Sequence, residues 1–476
     1  MQTTIGSPGF LASCLVVAAV SALAAMAAEN VELDRVLSAG VFTVTRFDAQ
    51  AYLQPVPGLP LKQLQLFERG RHHFDKKWAA ISSLQFEWGL GPTFIAKSCA
   101  ECHASGGRGH PPADADEQLV SMLVRLSIPG EDEHGGPRPH PNYGDQFQNF
   151  GLSGPFPDLA YHTAPVPPEA ALYLDWEEKA VELADGERVV LRKPRLRIEK
   201  LAFGPLGEGA MTSVRIAQPV FGLGLLEAVP EETILATARR QKEQGFNGRP
   251  NYVWDAISKR TTVGRFGWKA NQPSIKQQVV TAALGDMGLT SPLYREQNCP
   301  PAQHLCSIQT PGNDPELVTM DWEELEFWTI GLGVPARRHV EDPQVQRGAV
   351  LFEQANCAVC HVPEMKTGEK FPLLPPLAGQ TFHAYTDLLL HDMGEELADH
   401  RPDFKAGGRD WRTQPLWGIG LSATVNGSTS MLHDGRARNA VEAILWHGGE
   451  AQFSRDAFMK MPKADREALL KFLDSI

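Results

Sequence analysis

The chain of 476 residues is 42% hydrophobic and 21% charged, a globular composition that excludes a disordered or low-complexity protein. Its 45 Lys and Arg against 57 Asp and Glu leave a net charge of −12, which argues against nucleic acid or an anionic membrane as a partner and allows a basic protein partner. The length exceeds what one ordinary domain needs.

The first element is Leu11–Ala28, nearly all apolar or small, closing with Ala25-Met26-Ala27-Ala28 before Glu29. It has the core and the small-residue cleavage site of a signal peptide, although no Lys or Arg precedes Arg35. We expect residues 1–28 to be removed on export to the periplasm, leaving no stable membrane span. Leu61–Trp78 has helical periodicity. It leads through Gly89-Leu-Gly-Pro92 to Cys99-Ala-Glu-Cys102-His103, which is matched later by Cys357-Ala-Val-Cys360-His361.

Each pentapeptide can attach a haem. Two thiols about one helical turn apart reach the two vinyl groups, and the next residue presents an imidazole to the iron. A zinc knuckle would need further Cys or His at ligand spacing, and a thioredoxin-like pair does not need the following His. The expected cofactors are therefore two covalent haems c, bonded through Cys99, Cys102, Cys357 and Cys360, with His103 and His361 as proximal iron ligands. Export agrees with this, because haem c attachment in bacteria takes place outside the cytoplasm.

Glu131–Pro168 is rich in Gly, Pro, Asn and His and predicts long loops. Ala171–Leu183 and Arg188–Leu201 alternate around Ala184-Asp-Gly-Glu187 and predict a β-hairpin. Arg215–Glu231 then sets Glu227 in an apolar run, where a carboxylate is costly unless paired or protonated. Glu227 is thus a catalytic acid–base candidate, with a helix-end or ion-paired Glu as the plainer alternative. Pro230–Gln244 and Asp321–Ile330 predict helices. Between them, Cys299 and Cys306 are spaced for a disulfide.

Pro335–Pro343 suits a linker. After it come a helix over Gln344–Gln354, the second pentapeptide, the Pro-rich Phe371–Pro376 and a final helix over Lys463–Leu473. That order suits a class I cytochrome c domain. The expectation is a mainly α protein of two class I cytochrome c-like domains, 29–335 and 336–476, the first enlarged by loops and a small β insertion. In Met431–Gly449, Asn439 can cap a helix that Gly448-Gly449 ends, and His447 shares a face with Ala440, Ala443 and Ile444. His447 is a candidate ligand, with His433, His391, His383, Met365, Met393 and Met431 as others. Arg436 and Arg438 are either solvated or hold a haem propionate. Trp268 and Trp446 are candidate inter-haem aromatics, with ordinary packing as the alternative.

These residues resemble the di-haem oxidoreductase family, also labelled thiol oxidoreductase-like, a relative of the bacterial di-haem cytochrome c peroxidases and of the methylamine dehydrogenase maturation enzyme. The resemblance rests on Cys99–Pro111, Tyr143–Gln148, Arg215–Pro230, Gly264–Lys269, Asp286–Thr290, Tyr385–Gly394 and Leu432–Ala451. In the peroxidase relatives a Met fourteen residues after the His of a His-x-Gly stretch ligates the electron-transfer haem, and in the maturation enzyme a Tyr does. Fourteen residues from His433 is His447, so the resemblance implies His361/His447 ligation. It implies a peroxidase-like oxidoreductase with a reactive N-terminal haem and an electron-relay C-terminal haem. A small oxidant such as peroxide and a redox partner protein (a cytochrome, cupredoxin or quinol system) would serve it. The non-catalytic alternative is a di-haem electron-transfer cytochrome. The chain departs from the peroxidases in lacking their Gln-Phe-Trp-Asp-Gly-Arg-Ala stretch. It also has Leu123 where they have a second ligand His, and Ser428-Thr-Ser430 in place of the Thr-x-Pro of their inter-haem calcium site.

Overall fold

Two helix crossings organise the molecule, and each is built on a glycine. In the computed structural model, which describes residues 36–80, 88–152, 165–308 and 313–476, helix Leu61–Asp75 crosses helix Thr319–Ile330 at Gly70. A Cβ at Gly70 would overlap the Glu324 carbonyl and lie 2.5 Å from Trp328 Cβ, so only glycine lets the helices approach this closely. Helix Pro343–Gln354 crosses helix Lys463–Ser475 at Gly348 in the same way, against Ala468 and Phe472. Four residues after each glycine stands a phenylalanine. Phe74 packs on Trp328 with ring centroids 4.3 Å apart, and Phe352 on Phe472 at 5.3 Å. The sequence Arg-Gly-x-x-x-Phe recurs at Arg69–Phe74 and Arg347–Phe352, so one packing unit is used twice.

The expected mainly α architecture of two class I cytochrome c-like domains is corrected. The described residues are 33% helix and 20% strand, with the strands spread over many small sheets. The long hairpin falls where alternation put it, Ala171–Glu182 against Arg188–Glu199. The rest of the strand content comes from distant pairing. Met122–Glu131 alternates buried and half-buried residues over its first half, runs out exposed at its end, and pairs antiparallel through residues 122–127 with Met211–Ile216, which lies far along the chain. Thr43–Val44 runs parallel to Val334–Pro335. Two-residue strands of this kind carry no local periodicity, so a reading based on helical repeats overstates the helix.

The helices over 61–75, 231–243, 319–330, 343–354 and 463–475 lie close to their predicted spans. Asn439 caps helix Ala440–Trp446 by accepting the Glu442 N–H at 3.0 Å. Helix Ile275–Met287 was not foreseen; Ser274 caps its start and Gly288 its end. The disulfide Cys299–Cys306 is present. Part of the expected loop stretch 131–168 and all of the expected leader, 1–28, lie outside the described residues. Both large hydrophobic cores take side chains from either side of residue 336. One includes Phe67, Trp328, Phe382 and Trp417; the other includes Leu126, Trp268, Phe352 and Trp446. Among the described residues no helix is long and apolar enough to cross a membrane.

Candidate functional site

The first pentapeptide begins at Ser98, whose hydroxyl accepts the Glu101 N–H at 3.2 Å and caps the single turn Cys99–Cys102. His103 follows and donates its Nδ1–H to the Gln218 carbonyl at 2.6 Å. That bond fixes the tautomer that leaves Nε2 as the nitrogen with a free lone pair, able to bind a metal. Burial lowers the His103 pKa and keeps the ring neutral, as a ligand must be. Phe74 backs the ring at 6.3 Å. His103 and Cys99 face a largely apolar cavity walled by Phe266, Val279, Leu325 and Trp417. A smaller cavity adjoins it on the Cys102 side, with Leu123, Met122 and Asp286 in its wall.

The second pentapeptide repeats the arrangement. Asn356, at φ 60°, turns the chain into Cys357–Cys360. His361 donates Nδ1–H to the Tyr385 carbonyl at 2.9 Å, and Phe352 backs it at 6.4 Å. Burial, the first of several influences, brings the His361 pKa down to about 4. Burial likewise pushes the thiols up, Cys99 to about 12 and Cys357 to about 11. None of the four motif cysteines is in a disulfide. Thiols held protonated in this way are unlike the low-pKa pairs of disulfide exchange.

The His361 cavity gathers most of the expected ligand candidates: His447, His433, His391, Met393 and Met431. His447 donates Nδ1–H to the Ala443 carbonyl at 2.7 Å, the same tautomer-fixing bond that His103 and His361 make. Burial keeps it neutral as well. His433 is stacked on Trp411 at 3.7 Å and lies 3.3 Å from Asp434. His391 is clamped between Asp387 at 2.8 Å and Glu450 at 3.2 Å, with Cys360 Sγ 3.6 Å away; Asp387 leads the influences that raise its pKa well above the usual imidazole value, against burial. Met365 and His383 are not in this wall. By contrast, the main His103 cavity contains no second His and no Met.

Glu227 does not line either cavity. Its carboxylate accepts the Ile275 N–H at 2.6 Å, at the start of the helix that carries Ile275, Gln278 and Ala282 into the His103 cavity wall. Burial raises its pKa. Glu326, close enough to feel Glu227, is pushed up to about 7, chiefly by burial. Trp268 lines the His361 cavity and also the smaller His103 cavity, and it donates Nε1–H to Ile216 O at 2.8 Å. Trp446 lines none of the three and packs under Arg436.

Arg436 and Arg438 are already committed. Arg436 forks onto Asp434 at 2.7–3.0 Å, and Arg438 binds Glu442 at 2.7 Å. The residues that sequence reasoning passed over are Arg108 and Arg412, which line the His361 cavity and the main His103 cavity alike. No local signal marks them; their position emerges only where the two cavities meet.

The chain matches the family described as "Di-haem oxidoreductase, putative peroxidase" over residues 36–476, and it belongs to that family. No curated protein and no solved structure matches it. The family implies haem cofactors, and the residues present fit them. Each cavity has apolar walls beside a Cys-x-x-Cys-His turn, and each turn's imidazole is held with Nε2 uncommitted. Arg108 and Arg412, two buried guanidiniums with no carboxylate in ion-pair reach among the described residues, line both cavities.

Proposed function

We propose that this is an exported, periplasmic di-haem c oxidoreductase with peroxidase-like chemistry. In this reading Cys99 and Cys102 hold one haem and Cys357 and Cys360 the other. His103 and His361 are the proximal ligands, and His447 completes the second iron. The cofactor supplies the redox chemistry, and the chain supplies binding, orientation and proton traffic.

The observation that carries the division of labour is the contrast between the two cavities. His447 and other ligand candidates surround His361, whereas the main His103 cavity offers no second His or Met. A saturated centre suits electron relay, and an open one suits a small oxidant such as peroxide. Gln278 lines the main His103 cavity and brings an amide able to hydrogen-bond a small polar ligand. Glu227 stands one step back. Burial raises its pKa against the opposing pull of the Ile275 N–H and Arg265, which suits a group that exchanges protons behind the wall, and its carboxylate anchors the helix that carries Gln278. The acidic surface suits a basic redox partner protein.

The experiment is mass spectrometry and an electronic spectrum of the exported holoprotein, with and without peroxide. Two covalent haems, one high-spin, and a spectral change on peroxide addition support the proposal. Two six-coordinate low-spin haems with no response would make the protein an electron-transfer cytochrome instead.

A further inference from the structure

Buried cations are costly, and five of the seven buried Lys and Arg among the described residues have an anionic partner. Among the buried Lys and Arg of the described residues, Arg215 pairs with Asp403, Lys269 with Asp399, Arg401 with Asp403, Arg436 with Asp434, and Arg466 with Asp185 and Glu187. Arg108 and Arg412 are buried too, and neither has a carboxylate within ion-pair reach among the described residues. Arg412 spends Nε on the Gly267 carbonyl at 2.9 Å and Nη2 on Gln414 Oε1 at 2.8 Å, and its Nη1 has no partner. Arg108 lies 5.7 Å from the Trp268 ring centroid. Burial brings both guanidiniums down to about 10, which leaves them charged at neutral pH.

Their location is as unusual as their lack of a carboxylate partner. Arg108, Arg412 and Gln414 belong to the wall of both large cavities. Arg412 is also tied to the supports of both proximal histidines. Gln414, its hydrogen-bond partner, accepts from Gln218 Nε2 at 2.5 Å, and the carbonyl of Gln218 holds His103. On the other side, the carbonyl of Thr413 accepts from Thr386 Oγ1 at 2.6 Å, next to Tyr385, whose carbonyl holds His361.

We infer that Arg108 and Arg412 form one shared cationic seat that binds a propionate carboxylate from each of the two haems and so makes the two centres a single electrostatic unit. The inference rests on the two-haem reading above. Two carboxylates between two guanidiniums bring the seat to neutrality, and the planar fork of Arg412 suits a carboxylate better than a lysine would. A cation that near both cofactors favours the reduced, less positive form of each. Removing it therefore moves both midpoint potentials in the same direction.

The test is spectroelectrochemical titration of the full holoprotein, with haem content counted by mass. Arg412→Gln is expected to retain two haems and to shift both midpoints to more negative values, and Arg412→Lys is expected to recover part of each shift. Arg108→Gln should act in the same sense, and it carries the test if Arg412→Gln fails to accumulate. A variant with two haems in which only one midpoint moves, or neither, overturns the shared seat. Recovery by Lys equal to none in both centres also overturns it, because that would mark a packing effect and not a charge effect. A parent protein with fewer than two haems overturns the underlying reading directly, and the seat with it.

Discussion

Replacing Gly348 by Ala should destabilise the protein, although the same change in an open helix position stabilises. Ala is favoured over Gly inside a helix by about 1 kcal/mol. At Gly348, however, the new Cβ would lie 2.6 Å from Phe472 Cβ and 2.7 Å from the Ala468 carbonyl carbon, and it would overlap the carbonyl oxygen. Carbon atoms in a packed interior sit roughly 3.5–4 Å apart, so helices Pro343–Gln354 and Lys463–Ser475 must separate by about 1 Å. Over-packing of this kind costs about 1–3 kcal/mol, and here the rigid backbone of the second helix cannot swing aside, which favours the upper end. The net expectation is a loss of about 1–2 kcal/mol, after the gain in helix propensity. Gly285 is the control. It lies inside helix Ile275–Met287, and the nearest atom to its built Cβ is 3.9 Å away, so Gly285→Ala should gain about 0.5–1 kcal/mol. Urea denaturation of both variants, followed by circular dichroism, reads the two signs. The separation should also displace Phe352 from behind His361 and broaden the low-spin haem spectrum. A Gly348→Ala protein as stable as the parent would refute the close-crossing account, and Gly70→Ala should fail or succeed with it.

His447→Ala should convert the low-spin haem of the second site to a high-spin or differently ligated species by electron paramagnetic resonance; an unchanged low-spin signal would remove His447 as the ligand. Glu227→Gln should keep both haems and slow the reaction with peroxide by about 10²-fold, the low end for an acid–base group because Glu227 lies behind the cavity wall; an unchanged rate in stopped-flow traces would reduce it to a helix anchor. His391 has a folded pKa raised well above its unfolded value of about 6.5, so its clamp contributes fully below that value and is lost as pH rises through the raised folded pKa. The stability difference between parent and His391→Gln should thus be larger at pH 6 than at pH 9, and the reverse order would contradict the clamp. Opening the Cys299–Cys306 loop with Cys299→Ser and Cys306→Ser should cost about 2.5 kcal/mol in the chain-entropy model and free Gln303, which donates to Asn142 O at 2.9 Å; equal urea midpoints would show that the bridge adds nothing.

The sequence by itself determined what depends on neighbours along the chain. The two Cys-x-x-Cys-His turns are self-contained, so their positions were legible without a fold. The hairpin Ala171–Glu182/Arg188–Glu199 was legible because alternation and its turn are local, and the Asn439 cap because a cap needs only three following residues. The internal repeat Arg-Gly-x-x-x-Phe was present in the sequence too, but its meaning required the second helix of each crossing. Only the tertiary structure decided the strand content, because Met122–Glu131 finds its partner in Met211–Ile216 far along the chain. Only it could separate arginines by role. Arg436 and Arg412 look alike in a sequence, yet one is forked onto Asp434 two residues away and the other stands between two cavities with no carboxylate in ion-pair reach among the described residues. Glu227 looked like a site residue because it is buried, and burial is what the apolar run around it encodes. Which atom its carboxylate reaches depends on residue 275, forty-eight positions later. Local order follows from short-range sterics and hydrogen bonding, whereas buried pairs such as Arg215–Asp403 and Lys269–Asp399 are settled by packing between distant segments, which no stretch of sequence contains.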